Sequence, residues 1–274
     1  MLRLRVELPS EELEARTDLR PCGNLEILGR AVRLYRERFG VLVGLSLLCL
    51  ALPECIELAL KPVDWDKPGP SIIWIVPPLR IAGGTVLQGA VILVAAHSVL
   101  GVKTGILNAI RQLPPALLLR MLGTVLVEMV FLIFLYLALV LPGLIYTVRW
   151  TLSVHVVVLE RRVYRDALRR STELLSCDFW RCVGLTLPFV VLGSIGFLAD
   201  RFQIIDLEED ITFLAVTVID ALLAPVLSVA ITLLYFDIRV RKEGLDIEMI
   251  RKMIGLGGDM DRSFDERGYR LSGK

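Results

Sequence analysis

Long apolar runs alternate with short charged segments along most of this chain. A run of about twenty apolar residues is the length at which an α-helix crosses the hydrocarbon core of a bilayer. The pattern therefore predicts an all-α integral membrane bundle of six transmembrane helices. The predicted spans lie at about 39–60, 79–99, 116–141, 144–159, 179–199 and 211–236.

The third and fourth spans form one apolar stretch, which covers residues 117–160 and is interrupted only at Pro142-Gly143. Proline removes a backbone donor and clashes with the preceding helical turn, so we expect a tight turn at this pair. The stretch then becomes a hairpin of two membrane helices. The Pro77-Pro78 pair predicts a similar division, between an interfacial lead-in at 72–78 and the span 79–99. Gly83, Gly84 and Gly89 in that span favour close approach to a neighbouring helix.

The segments between spans carry basic amphipathic patterns. Residues 25–38 place apolar side chains at a three- to four-residue spacing and arginines on the opposite face, which is typical of a helix at a membrane surface. Residues 101–115 and 160–181 predict two more such helices. We divide the chain into a flexible arm at 1–24, a membrane domain at 25–250 and a flexible tail at 251–274.

The distribution of charge predicts the orientation in the membrane. Seventeen Lys and Arg lie in 30–38, 100–115, 160–181 and 237–252, all on one side if there are six spans. The other side has only Lys61, Lys67 and Arg201. Because cytoplasmic loops carry the excess of Lys and Arg, both termini are predicted in the cytoplasm.

The composition agrees with a membrane protein and excludes several other classes. Of 274 residues, 55% are hydrophobic, the net charge is +1, and the mean hydropathy is +0.64. Such a balanced charge predicts no nucleic-acid partner. The polar residues 1–24 lack the apolar core of a cleavable signal peptide, so the first span is expected to be retained. Five cysteines without a CxxC pair predict free, inert thiols.

Four phrases of the sequence together point to a family. They are AVRLYRERF (31–39), LPGLIYTVRW (141–150), VVVLE (156–160) with ALRRSTELLSCDFW (167–180), and LYFDIRVRKEG (234–244). Residues 25–250 resemble the bacterial family named after the membrane domain of glycerophosphoryl diester phosphodiesterase, whose members are often standalone six-span proteins. The resemblance implies a bacterial cytoplasmic membrane. It implies no phosphodiesterase activity, because the soluble catalytic domain fused to some members has no counterpart in this chain.

Ionisable residues inside spans are costly, so each is a candidate site residue. By depth, these residues share the middle or outer half of the bundle: Glu54, Glu57, Arg80, Glu128, Arg149 and Asp220. One interpretation is structural, with Arg149 paired to Glu128 or Asp220, and with Glu54 or Glu57 either paired to Arg80 or facing the outer headgroups. Another is a polar cavity, open to the outside, that binds an ion, a solute or a lipid headgroup with Arg149 as the anion contact. A third is proton transfer shared by Glu128 and His155. His155 has no second histidine or cysteine near it, so no metal site is predicted. His97 is expected at the membrane interface.

The basic segments have two interpretations. Their arginines either set the topology alone, or contact anionic lipids at the cytoplasmic face or an unidentified membrane or cytoplasmic protein. The candidate contacts are Arg33, Arg36, Arg162, Arg165, Arg169 and Arg170. The mixed charges from Asp237 to Glu243 predict a salt-linked helix end that docks on residues 160–181.

No P-loop, GxSxG, HExxH or dinucleotide-binding glycine pattern occurs in the chain. We therefore expect a non-enzymatic membrane component without a cofactor, acting as an accessory or scaffold in membrane or envelope homeostasis. The alternative is a small transporter or lipid-handling protein that uses the charged cluster around Arg149.

Overall fold

The computed structural model describes residues 23–51, 53, 56, 70–102, 105–201, 209–244, 249–250 and 253. Within these ranges the backbone is helical or in short connections, and no β-strand occurs. The predicted all-α class is therefore confirmed for the described residues. The predicted arm at 1–24 and the tail at 251–274 lie almost entirely outside them.

Ten α-helices follow one another in the described chain. The first five are α1 (Asn24–Glu37), α2 (Phe39–Ser46), α3 (Pro70–Val99), α4 (Ile106–Arg111) and α5 (Pro115–Ala138). The others are α6 (Val140–Arg149), α7 (Ser153–His155), α8 (Tyr164–Leu174), α9 (Phe179–Arg201) and α10 (Glu209–Glu243). Two five-residue π-helical turns, Leu47–Ala51 and Val156–Glu160, continue α2 and α7.

Four apolar segments of the described chain are long enough to cross a membrane. They are Val76–Val99, Pro115–Ala138, Val140–Glu160 and Ala221–Glu243. A fifth exists if Tyr164–Leu174 and Phe179–Leu192, which are bent by 102° relative to each other, form one broken span. Four or five such helices indicate a membrane protein. The first predicted span appears only as the shorter apolar helix Phe39–Leu50, and most of 51–60 lies outside the described residues.

The hairpin predicted at 117–160 exists, but its turn is not at Pro142-Gly143. The chain reverses at Leu139, whose backbone is extended at φ −162° and ψ 134°. Pro142 and Gly143 lie inside the first turn of α6, where the missing N–H of a proline would have no helical partner in any case. The predicted ends of the two arms, at 141 and 144, therefore move to Ala138 and Val140.

Cross-contacts give the register of the two arms. The Tyr136 and Thr147 hydroxyl oxygens are 2.9 Å apart, and the Phe131 and Trp150 rings meet edge to face at 6.2 Å. Gly143 is required here, because a Cβ at this position would lie only 2.5 Å from the Tyr136 ring. The arms therefore run antiparallel, with α7 returning beside the middle of α5.

Helix α3 also differs from expectation, since it continues through Pro77 and Pro78 instead of dividing there. Both prolines are exposed, and each removes one backbone hydrogen-bond donor from α3. Gly83 and Gly89 provide the predicted close contacts, with the Cys49 carbonyl and with Met121. Gly84 does not, because nothing lies within 4 Å of the position a Cβ would take.

The C-terminal half of α10 lies at the centre of the molecule. It packs against α1, α3 and α9, and Leu234, Tyr235 and Ile238 are completely buried. By contrast, the tip of the α5–α6 hairpin exposes large apolar side chains, including Leu137 at 79% and Leu141 at 73%. A soluble surface rarely carries so large an apolar patch, so this surface suits contact with lipid.

Candidate functional site

The predicted pair of Glu128 and Arg149 does not form. Glu128 instead accepts a 2.6 Å hydrogen bond from the Ser153 hydroxyl, and the Arg149 guanidinium lies 5.9 Å from the centre of the Tyr146 ring. The hairpin register explains the difference, because it places Ser153 directly across from Glu128. Arg149 belongs to the preceding turn, before the helix is interrupted at Trp150–Leu152.

Among the described side chains, neither Glu128 nor Arg149 contacts another member of the predicted intramembrane cluster. Arg80 is exposed on α3. Asp220 lies on α10, where only its backbone is described, and Glu54 and Glu57 lie outside the described residues. The proton-transfer interpretation has no direct contact to support it, because Glu128 bonds to Ser153 and His155 bonds to Thr232.

The charged residues that do converge lie at the other end of the hairpin, around Glu160. Glu160 ends the π-helical turn after α7 and its side chain is only 8% exposed. The Arg170 Nε donates to it at 3.0 Å, and the Tyr235 hydroxyl donates at 2.9 Å. Burial of a carboxylate requires partners of this kind, since desolvation otherwise disfavours its charge.

Two further residues from α10 complete this cluster. Arg239 Nη1 donates to the Tyr235 hydroxyl at 3.2 Å and lies 3.8 Å from Glu160. Its Nε donates to Glu243 at 2.8 Å, and Glu243 also pairs with Arg170. We call Glu160, Arg170, Tyr235, Arg239 and Glu243 the Glu160 network. Its members come from three elements, so the network joins the π-helical turn, α8 and α10.

A second group of charges joins α9 to α10. Arg181 donates to Asp178 at 2.9 Å and to Asp237 at 2.8 Å, and Asp237 also pairs with Arg241 at 3.0 Å. Lys242 donates to the Leu174 carbonyl at 2.7 Å, which places a cation at the C-terminus of α8, where the helix dipole favours it. We call Asp178, Arg181, Asp237, Arg241 and Lys242 the Asp237 network.

These two networks are the salt-linked helix end that the sequence predicts between 237–243 and 160–181, and the prediction is confirmed. The roles of Glu160 and Tyr235 were missed. A signal for them exists in the spacing, because Tyr235, Arg239 and Glu243 recur every four residues and so share one face of α10. Their buried partner on another element cannot be read from that spacing.

The predicted lipid or partner contacts are mostly at the surface. Arg33 and Arg36 are exposed on α1. Arg165 lies 5.5 Å over the Phe131 ring, and Arg169 pairs with Glu173 at 3.5 Å while remaining largely exposed. Arg162 is exposed and reaches Glu160 at 3.5 Å. Arg170 differs from the others, because it is drawn into the Glu160 network and is only 16% exposed.

Both histidines are structural parts of the bundle in this arrangement. His155 is buried, stacks on Tyr235 and has Nε2 3.1 Å from the Thr232 hydroxyl. Since that hydroxyl already donates to the Ser228 carbonyl, His155 donates from Nε2, and its buried Nδ1 has no hydrogen-bond partner among the described residues. His97, expected at the interface, is buried with Nδ1 2.7 Å from the Leu93 carbonyl.

Chemically, the two networks offer ion pairs and hydrogen bonds between guanidinium, carboxylate and phenol groups. Among the described side chains, no three His, Cys, Asp or Glu residues converge in the way that a metal site requires. Two of the three described cysteines, Cys49 and Cys182, are buried, and Cys177 is exposed; none of the three forms a disulfide.

Comparison with known proteins adds no relative. No protein-family model, no curated protein and no solved structure matches this chain. The resemblance to the membrane domain of glycerophosphoryl diester phosphodiesterase therefore stays a prediction from the four sequence phrases.

Proposed function

We propose that this chain is a non-enzymatic integral membrane protein that acts as an accessory or scaffold component in membrane or envelope homeostasis. In this proposal it spans the cytoplasmic membrane six times with both termini inside, as the charge distribution predicts. The family suggested by the sequence phrases has the same organisation. That this chain is a member of that family is part of the proposal.

The observation that carries the proposal is that the converging charged residues form ion pairs and hydrogen bonds with one another. In the Glu160 and Asp237 networks, carboxylates pair with guanidiniums from other elements. Together the networks fasten α8, α9 and the end of α10 into one unit. Ion pairs of this kind hold the helices in place. Every charged group of the two networks already has a partner, so none is free to act on a substrate.

The surface supports a role in the membrane or in assembly. The hairpin tip exposes apolar side chains, while the outer faces of α1 and α8 expose arginines such as Arg33 and Arg169. An apolar hairpin beside basic helices suits a protein whose hairpin lies in the membrane and whose basic helices face anionic lipid headgroups. The same basic face could receive an acidic segment of a membrane or cytoplasmic protein.

The alternative of a small transporter requires a polar cluster around Arg149. In the described structure Arg149 lies on the Tyr146 ring, and Glu128 is satisfied by Ser153. No contact between the two supports an anion-binding or proton-coupled site, so the scaffold proposal is favoured.

A deletion strain tests the proposal. Its membrane lipids and its uptake of solutes are compared after complementation with the wild-type chain or with Arg149→Ala. We expect Arg149→Ala, expressed at the wild-type level, to restore the lipid profile and envelope integrity fully. Loss of uptake of a solute with Arg149→Ala, at unchanged expression, would contradict the scaffold proposal and favour the transporter.

A further inference from the structure

Two arginines from different elements are brought together beside the Glu160 network. Arg120 lies in the second turn of α5, and Arg161 directly follows the π-helical turn Val156–Glu160. Thr124 on α5 donates to the Arg120 carbonyl at 2.8 Å and accepts from the Tyr164 N–H at 3.0 Å. The connection that starts at Arg161 is therefore held against the turn of α5 that starts at Arg120.

This pair of like charges lacks an acidic partner among the described side chains. The nearest carboxylate along the chain, Glu160, is engaged by Arg170 and Tyr235. Partial burial of Arg161 and the neighbouring Arg120 guanidinium lower the pKa of Arg161. Because the two guanidiniums repel each other, an anion that binds between them stabilises both.

The backbone that presents Arg161 is itself costly. Arg161 has φ 61° and Tyr164 has φ 51°, and the left-handed region is unfavourable for residues other than glycine. The Tyr164 ring packs where Gly123 leaves room, since a Cβ on Gly123 would lie 2.7 Å from it. The fold thus keeps a strained connection in place against α5, as functional sites often do.

An exposed apolar stripe runs along α5 beside Arg120. It contains Leu119, Leu126, Val130, Ile133 and Leu137, all more than 45% exposed. Their spacing of three, four or seven residues keeps them on one helix face. A small inorganic anion has no use for such a surface, whereas the acyl chains of a lipid would cover it.

We propose that Arg120 and Arg161 bind the phosphate group of an anionic phospholipid whose acyl chains lie along this stripe. Guanidinium groups suit the task because their paired N–H donors match two phosphate oxygens at once. The site rests on the membrane placement of the proposed function, and neither arginine is among the lipid contacts predicted from the basic segments.

The test is a lipid titration of the purified full-length protein in detergent, followed by native mass spectrometry. Phosphatidylglycerol is compared with phosphatidylcholine for the wild type, Arg120→Gln, Arg161→Gln and the double variant. Because each arginine near an anionic headgroup contributes about 1 kcal/mol, we expect about fivefold weaker phosphatidylglycerol binding for each single variant and about 25-fold for the double variant. Unchanged binding by the double variant would overturn the proposal.

The matched control removes the same charge elsewhere. Arg111 on α4 is exposed and is not one of the predicted lipid contacts, so Arg111→Gln should weaken binding less than about twofold, against about fivefold for each single variant, if the site is specific. An equal loss of affinity in the control would show that binding depends only on surface charge, and would overturn the proposed site. Arg120→Lys and Arg161→Lys keep the charge but lose the paired donors, and an intermediate affinity is expected.

Competition with inorganic phosphate distinguishes a site for a phospholipid headgroup from a site for free phosphate. We expect it to leave bound phosphatidylglycerol in place, because it gains nothing from the apolar stripe. Complete displacement by phosphate would overturn the phospholipid assignment. These measurements are made in detergent and do not depend on topology or on a deletion phenotype, so the scaffold role can fail while the lipid site holds, and the reverse.

Discussion

Glu160 shows how a buried carboxylate is supplied with partners in this molecule. Its oxygens accept hydrogen bonds from the Tyr235 phenol and the Arg170 guanidinium, and the Arg239 guanidinium lies close by. Removal of water from such a group costs several kcal/mol unless partners replace it. Once the partners are in place, loss of the carboxylate is the expensive event, because the guanidiniums of Arg170 and Arg239, only 16% and 8% exposed, are then left to share the single carboxylate of Glu243.

We therefore predict that Glu160→Ala destabilises the protein by about 3–5 kcal/mol, the range for breaking a buried pair from one side. The measurement is the free energy of unfolding in detergent micelles by denaturant titration. Glu173→Ala is the control, since Glu173 is 53% exposed and pairs with the exposed Arg169. That change should cost less than about 1 kcal/mol, and similar losses for both would mean that the Glu160 network is not the anchor.

The helices meet at glycines as well as through charges. Gly83 on α3 lies directly against the backbone carbonyl of Cys49, in the π-helical turn that continues α2. A backbone carbonyl cannot rotate away as a side chain can, so the contact permits no added atom without moving α2 or α3. The neighbouring Gly84 faces open space, although the sequence makes the two positions look alike.

We predict that Gly83→Ala destabilises the protein by about 1–3 kcal/mol through overpacking. Gly84→Ala should be neutral or stabilise by up to about 1 kcal/mol, because alanine is the better helix former. Thermal unfolding of the two variants in the same detergent measures the difference. Equal stability of the two variants would show that α3 and the Leu47–Ala51 turn are not in close contact.

The molecule as a whole combines an apolar tip with a basic, ion-paired end. The α5–α6 hairpin exposes its apolar residues, and the Glu160 and Asp237 networks gather where α8, α9 and α10 meet. Since apolar and charged surfaces cannot share the bilayer core, the basic end belongs at one membrane face. In the proposed topology that face is the cytoplasmic one, as the positive-inside rule predicts.

Cys177 offers a direct check of that orientation. It is exposed in the connection between α8 and α9, whereas Cys49 and Cys182 are buried. In a variant with Cys22, Cys49, Cys55 and Cys182 replaced by serine, we expect a membrane-impermeant maleimide to label Cys177 only after cells are permeabilised. Labelling in intact cells would place the basic end outside and contradict the predicted topology.

Much of the fold is already contained in the order of apolar and charged residues. A bilayer has no water to satisfy backbone groups, so long apolar runs there must become helices. That physical constraint made the all-α class and most of the long apolar helices predictable. The docking of 237–243 on 160–181 was predictable for a similar reason, because mixed charges next to apolar runs require partners.

The choice of partner and the positions of breaks were decided only by tertiary structure. Leu139 reverses the hairpin and Pro142 does not, because proline is tolerated in the first turn of a helix. The resulting register gives Glu128 to Ser153 and leaves Arg149 on Tyr146. Arg120 and Arg161 are far apart in the sequence, and only the packing of the Arg161 connection on α5 brings them together. Such contacts depend on angles and register between helices, and local patterns do not contain them.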